Sequence, residues 1–139
     1  MSLTRRRKLF VNLPVTDLAR SRAFFTALGF TFDERFCGED GLCMEIGEDA
    51  YAMLLTQRRF ADFTVRPVGS PDDATSGIFA LTADSRDEVD AMVATAVAHG
   101  GSEAAERQDH GFMYGWSFFD PDGHHWEVFH MEPAALASR

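Results

Sequence analysis

The chain runs through one order of elements twice, and that repetition restricts its fold more than any other feature. Phe10-Val11-Asn12-Leu13-Pro14-Val15 reads as a strand, Asp17 as a helix N-cap, and Leu18 to Leu28 as a helix stopped by Gly29. A hairpin is expected next, from Leu42 to Ile46, through Gly47-Glu48-Asp49, to Tyr51-Ala52-Met53-Leu54-Leu55. The order then recurs with a strand from Ile78 to Thr82, followed by Asp84 and a helix. In that helix Val89, Met92, Val93, Ala96 and Val97 fall at helical spacing, and Ser85 and Glu88 form a capping box. Gly100-Gly101 ends it, and His99 in its last turn suits a helix terminus. Tyr114 to Phe119, the turn Asp120-Pro121-Asp122-Gly123 and His125 to Met131 make the second hairpin.

Two such units, about 8–66 and 76–131, joined by the stretch Pro67 to Thr75, imply an internal duplication within a single domain spanning residues 1–139. Each unit alone leaves one sheet face uncovered. Pairing the two would bury apolar residues and leave a groove in which a small molecule can bind.

Size and composition agree with a compact domain: 139 residues with 45% apolar content need no cross-links to hold a core. The two cysteines, Cys37 and Cys43, fit no Cys-x-x-Cys pattern and read as reduced core or cleft residues. Arg5-Arg6-Arg7-Lys8 imitates the start of a signal peptide, but Asn12 and Pro14 break the apolar run that follows. A cytoplasmic location is therefore expected. No apolar run approaches the roughly 20 residues of a membrane span, so no membrane partner is expected. The net charge of −9 is uneven. Residues 1–75 hold ten Lys/Arg against eleven Asp/Glu, and residues 76–139 hold three against eleven. That balance argues against nucleic acid as a partner and serves solubility first.

The duplicated plan carries two local patterns, Val-x-Asp-Leu-x-x-Ser-x-x-Phe-Phe-x-x-Leu-Gly-Phe over Val15 to Phe30 and Asp-Pro-Asp-Gly-x-x-x-Glu over Asp120 to Glu127. In these halves and this order they closely resemble the vicinal-oxygen-chelate superfamily of glyoxalases, bleomycin-resistance proteins and extradiol dioxygenases. The resemblance implies an α+β fold of two βαβββ modules forming a curved mixed sheet around a groove. It also implies a homodimer. Metal-using members place one ligand on each of four strands, and the matching positions here are Phe10, Leu54, Gly77 and Glu127. One carboxylate cannot hold a catalytic ion that needs about three protein ligands, so no metal and no cofactor are expected at that site. His125 shares a strand face with Glu127, and His110 lies in the segment Asp109 to Gly115. These two are the residues from which a relocated site would be built.

By strand parity, Phe10 and Asn12 line the groove together with Phe79 and Phe129, and His110 and Tyr114 from the Gly-rich segment fold over it. The alternative for the phenylalanines, in a chain with 13 of them, is ordinary sheet core. Glu127 is the candidate catalytic group, a desolvated carboxylate that abstracts or shuttles a proton. Its alternative is an inherited residue held by a neighbouring Tyr, Trp or water. Two functions follow. One is a divergent lyase or isomerase acting on a small organic molecule. The other is a metal-free protein that sequesters a drug or metabolite, similar to the bleomycin-resistance branch.

Overall fold

A computed structural model describes residues 2–133 of the chain. They form the expected α+β architecture of two βαβββ modules, in two compact units that divide at Gly69 and Ser70. The first unit contains β1 (Leu9–Val15), α1 (Leu18–Ala27), β2 (Thr31–Phe32), a short 3-10 turn (Glu34–Phe36), β3 (Gly41–Gly47), β4 (Ala50–Thr56) and α2 (Gln57–Ala61). The second contains β5 (Ile78–Thr82), α3 (Arg86–Ala98), β6 (Ser102–Glu103), β7 (Gln108–Asp109), β8 (Met113–Phe119) and β9 (His125–Met131). Among the described residues no helix is long and apolar enough to cross a membrane.

The sheets follow one design. In the first, the strand order is β1-β4-β3-β2, and in the second it is β5-β9-β8-β6, with β7 pairing β8. The opening strand of each unit lies parallel to the closing one, β1 to β4 and β5 to β9. The remaining pairings are antiparallel. A parallel pair needs a long crossover, and the intervening helix with its hairpin supplies it.

Both long helices close in the same way. Gly29, with φ of 103°, adopts the left-handed conformation after α1, and Phe30 N–H donates to the Phe25 carbonyl (3.0 Å). The rings of Phe25 and Phe30 meet at 6.1 Å, completing a Schellman motif with its apolar contact. After α3, Gly100 has φ of 107° and Gly101 N–H donates to the Ala96 carbonyl (2.9 Å). At the other end, Asp17 accepts from Arg20 N–H and Ser85 from Glu88 N–H. The Glu88 carboxylate returns to Asp84 N–H, one residue before the cap.

Each helix covers one face of its sheet. Phe24 and Phe25 of α1 are buried, as are Leu13, Val15, Leu42, Met44, Ala52 and Leu54 on the sheet. In the second unit Val89, Val93 and Ala96 of α3 are buried along with Phe118, Trp126 and Val128. The Val, Leu, Met and Phe side chains among these each contribute roughly 1.5–3 kcal/mol through burial. The apolar stripe of α3 is narrower than its spacing implies, since Val97 is half exposed.

The β8–β9 turn is held from inside by a carboxylate. Asp120 Oδ1 accepts the N–H groups of Asp122 and His124 (both 3.0 Å), and Oδ2 accepts the indole N–H of Trp126 (3.1 Å). Gly123, at φ of 98°, makes the tight return possible. Burial pushes the Asp120 carboxyl up, opposed by the His124 imidazole and by the Trp126 and His124 N–H donors. Replacing Asp120 with Ala removes the acceptor that three donors on buried residues share and should lower unfolding free energy by about 3 kcal/mol in urea titrations. Asp120→Asn keeps the two backbone acceptances but can set an amide N–H₂ against the indole. It should fall between Asp120→Ala and the parent.

Candidate functional site

Strand β9 is central in its sheet, between β5 and β8, so its alternate side chains are sorted onto two opposed faces. Trp126 and Val128 are buried on the helix-covered side. His125, Glu127 and Phe129 are partly exposed on the other, and the register sets three rows across that open face. Ile78, His125 and Phe119 form the first row, Ala80, Glu127 and Ser117 the second, and Thr82, Phe129 and Gly115 the third.

Small neighbours on both sides leave room above the Glu127 carboxylate. Among the described residues no hydrogen bond or ion pair engages that side chain. Ser117 accepts the Ala105 N–H (3.0 Å) with its hydroxyl oxygen. The His125 ring stands edge-on to Phe119 at 5.2 Å. A Cβ at Gly115 would meet Phe129 Cβ at 3.5 Å, an ordinary van der Waals contact, and the glycine leaves that space open.

Several expected positions move. Phe79 pairs with Trp126 and packs its ring against the indole at 5.2 Å, on the face opposite Glu127 and Phe129. The expected positions Phe10 and Gly77 stand seven residues before Asp17 and Asp84. Asp17 caps α1, but Ser85, not Asp84, caps α3. Counting seven back from each true cap pairs Phe10 with Ile78, which is 55% exposed in Glu127's first neighbouring row. Leu54 is likewise displaced, fully buried on the helix side, while Tyr51, Met53 and Leu55 share the face of Phe10. Phe10, Leu54 and Ile78 offer no donor atom to a metal. Among the described residues no three His, Cys, Asp or Glu side chains gather, so His110, His125 and Glu127 do not assemble a donor set.

Tyr114 also faces α3. Its hydroxyl donates to Asp90 Oδ1 (2.5 Å), and that bond raises the phenol's titration. His110 sits at the tip of the β7–β8 turn, exposed, with Nε2 at 3.2 Å from Gln108 Oε1. His130 approaches the Ala83 carbonyl through Nδ1 (3.0 Å). In the first unit Phe10 stacks on Tyr51, with ring centroids 4.7 Å apart and planes 10° from parallel. Phe10 remains 48% exposed, and the Asn12 amide donates to the Phe10 carbonyl (3.2 Å). Tyr51 escaped the sequence reading although its alternation along β4 carried the signal. The stack depends on register, which pairing alone decides.

Arg86, in the first turn of α3, was also missed. Its guanidinium donates to both oxygens of Asp109 (2.8 and 3.2 Å), to the Gly111 carbonyl (3.0 Å) and to Glu132 (3.4 Å). It also lies 5.0 Å over the Tyr114 ring. One cation thus ties the segment carrying His110 to the helix and to the residue that follows β9.

With this geometry in place, comparison with known proteins is specific. Residues 9–128 match the model of the Glyoxalase/Bleomycin resistance protein/Dioxygenase superfamily, and the chain belongs to that family. No curated protein matches it. Among solved structures it is similar to a hypothetical protein from S. aureus, at 25% identity and a TM-score of 0.76, covering 91% of this chain and 95% of that one. A glyoxalase/bleomycin resistance protein/dioxygenase family enzyme from Burkholderia phytofirmans has 16% identity and a TM-score of 0.73, covering 88% and 97%. The genomically encoded fosfomycin resistance protein of Listeria monocytogenes has 17% identity and a TM-score of 0.63, covering 91% and 93%. The last two likenesses concern the fold.

The Arg86 tether gives a pH-dependent expectation. The Arg86 hydrogen bond, with help from Gly111 N–H, holds the Asp109 carboxyl below its ordinary value of 3.8. A depressed carboxyl stabilises the folded segment above the unfolded value, and that contribution is lost as pH falls through the folded one. Amide exchange at Gly111 in the parent should therefore quicken, relative to intrinsic rates, only below about pH 4. In Arg86→Gln it should be fast already at neutral pH. Equal protection in the two proteins at pH 7 would refute the tether.

Proposed function

We propose that the protein takes a small organic molecule on the open face of its second sheet, with Glu127 exchanging a proton with it, as in a lyase or isomerase of its family. The observation that carries this reading is the Glu127 side chain, half-buried between Ala80 and Ser117, whose carboxylate no group among the described residues engages. A carboxylate retained only for the fold would be expected to have a hydrogen-bond donor, because partial burial without one costs free energy. Phe129 and the His125–Phe119 pair supply apolar surface on either side, and Ser117 a polar atom. With Phe10 and Ile78 apolar and Met53, not Leu54, on the outward face of β4, Glu127 is the one carboxylate at these positions, and the donor set does not fit the family's four-strand ion. No step is assigned to a metal.

One observation favours the binding-only alternative. The Phe10–Tyr51 stack presents a flat, partly open aromatic platform on the first sheet, suited to hold a planar ligand without chemistry. The two readings separate by proton exchange.

A thermal-shift screen of small organic acids, aldehydes and aromatic drugs identifies a molecule that raises the parent's melting temperature. Nuclear magnetic resonance in D₂O then follows deuterium entering its C–H positions. The parent should accelerate that exchange. Glu127→Gln should fold and bind the same molecule, yet exchange about 10²-fold more slowly, because an amide cannot take up a proton. A parent that binds the molecule without speeding exchange supports sequestration instead. The same preparation, treated with EDTA, should keep its melting temperature, and elemental analysis giving near one Zn, Ni or Fe per chain would overturn the metal-free reading.

A further inference from the structure

The chain's two cysteines meet where β2 runs out. β2 ends at Phe32, after which Asp33 N–H still donates to the Cys43 carbonyl (2.9 Å). The next acceptor along that ladder is a sulfur, because Cys43 N–H donates to Cys37 Sγ at 3.4 Å. The Cys37 thiol in turn donates to the Asp33 carbonyl at 3.3 Å. Cys37 is thus anchored on the backbone of the residue that bears the second thiol. The connection between them is short, and Gly38 N–H closes it onto the Gly41 carbonyl (2.9 Å).

The two thiols differ in access. Cys37 is half-buried and reachable from solvent, flanked by the Arg22 guanidinium that Glu34 holds at 2.8 and 3.0 Å. Cys43 is 1% exposed, and burial pushes its thiol up. Such an outer sulfur paired with a sheltered neighbour is the arrangement in which one thiol is oxidised and the second resolves it.

We propose that Cys37 and Cys43 form a reversible disulfide site whose oxidant is a small hydroperoxide. The Cys37 sulfur attacks the outer peroxide oxygen, the O–O bond breaks, and the alcohol leaves with the thiol's proton, giving Cys37 sulfenic acid. The Cys43 sulfur then attacks that sulfur. The S–O bond breaks, the S–S bond forms, and the hydroxyl departs as water with the proton of Cys43. Two thiols are oxidised and one peroxide is reduced to alcohol and water. The consequence reaches the first sheet's open face, because Cys43 lies beside Met53, whose other neighbour is Asn12. Drawing Cys43 towards Cys37 reshapes that row.

Trypsin tests the proposal directly, since the peptide from Phe36 to Arg58 holds both cysteines and no internal cleavage site. Reduced protein, freed of reductant, is treated with hydrogen peroxide, denatured in the presence of N-ethylmaleimide to block both thiols, and digested. The expected peptide is two hydrogens lighter and carries no maleimide, and dithiothreitol before blocking restores two labels. Cys43→Ser should instead leave Cys37 one oxygen heavier and reactive to dimedone, while Cys37→Ser should keep Cys43 fully labelled. If Cys43→Ser does not fold, the parent peptide and Cys37→Ser still decide. A parent peptide that remains doubly labelled, gains oxygen without losing two hydrogens, or appears only in covalent dimers overturns the proposal.

Discussion

Each module has a single long helix for a sheet with two faces, and most of the molecule follows from that shortage. Alternation along β4 and β9 sends every second side chain towards α1 or α3, where Leu54, Trp126 and Val128 are buried. The intervening residues face away from those two helices. On a typical α/β sheet both faces are covered and the strands read as continuous apolar runs. Here the uncovered positions carry Phe10, Asn12 and Tyr51 in one unit and His125, Glu127 and Phe129 in the other. Chemistry is therefore available on the faces that packing left over, and rigid strands hold it there.

What anchors those strands lies on the other side. Asp120 gathers two backbone N–H groups of its own turn and the indole of Trp126, the residue beside Glu127. A buried carboxylate is costly unless donors surround it, and these three donors offset the cost. The Asp-Pro-Asp-Gly pattern thus serves as a register lock for β8 and β9. Because a one-residue slip would exchange the faces, this lock also decides that Glu127 and not Trp126 looks outward. Arg86 does the equivalent for the β7–β8 turn, through ion pairs exposed enough that their effect is local order more than global stability.

Membership in the glyoxalase, bleomycin-resistance and dioxygenase superfamily sets a scaffold on which chemistry has diverged widely. Function on such a scaffold resides in a few outward side chains. In this chain Glu127 is a carboxylate with small neighbours, Ala80 and Ser117, on the face of its sheet turned away from α3.

The order of elements, the α+β class, both long helices with their glycine stops and the two hairpins were legible in the sequence, because each rests on local spacing and capping chemistry. The place of Glu127 on β9 was legible too, from the second hairpin. The short strands β2, β6 and β7 were not, since two residues carry no periodicity. Nor was α2, whose five residues give barely more than one turn. Facing was the deeper difficulty. The Ser85–Glu88 capping box marks the start of α3, but counting from Asp84 puts Phe79 on the outward face, whereas its pairing with Trp126 turns it inward and leaves Ile78 outward. Tyr114 went the same way, its hydroxyl committed to Asp90. Local sequence determined which residues stand on which strand. Tertiary contact decided which side of the strand they serve, because a side chain's face has period two and a single misplaced residue inverts it.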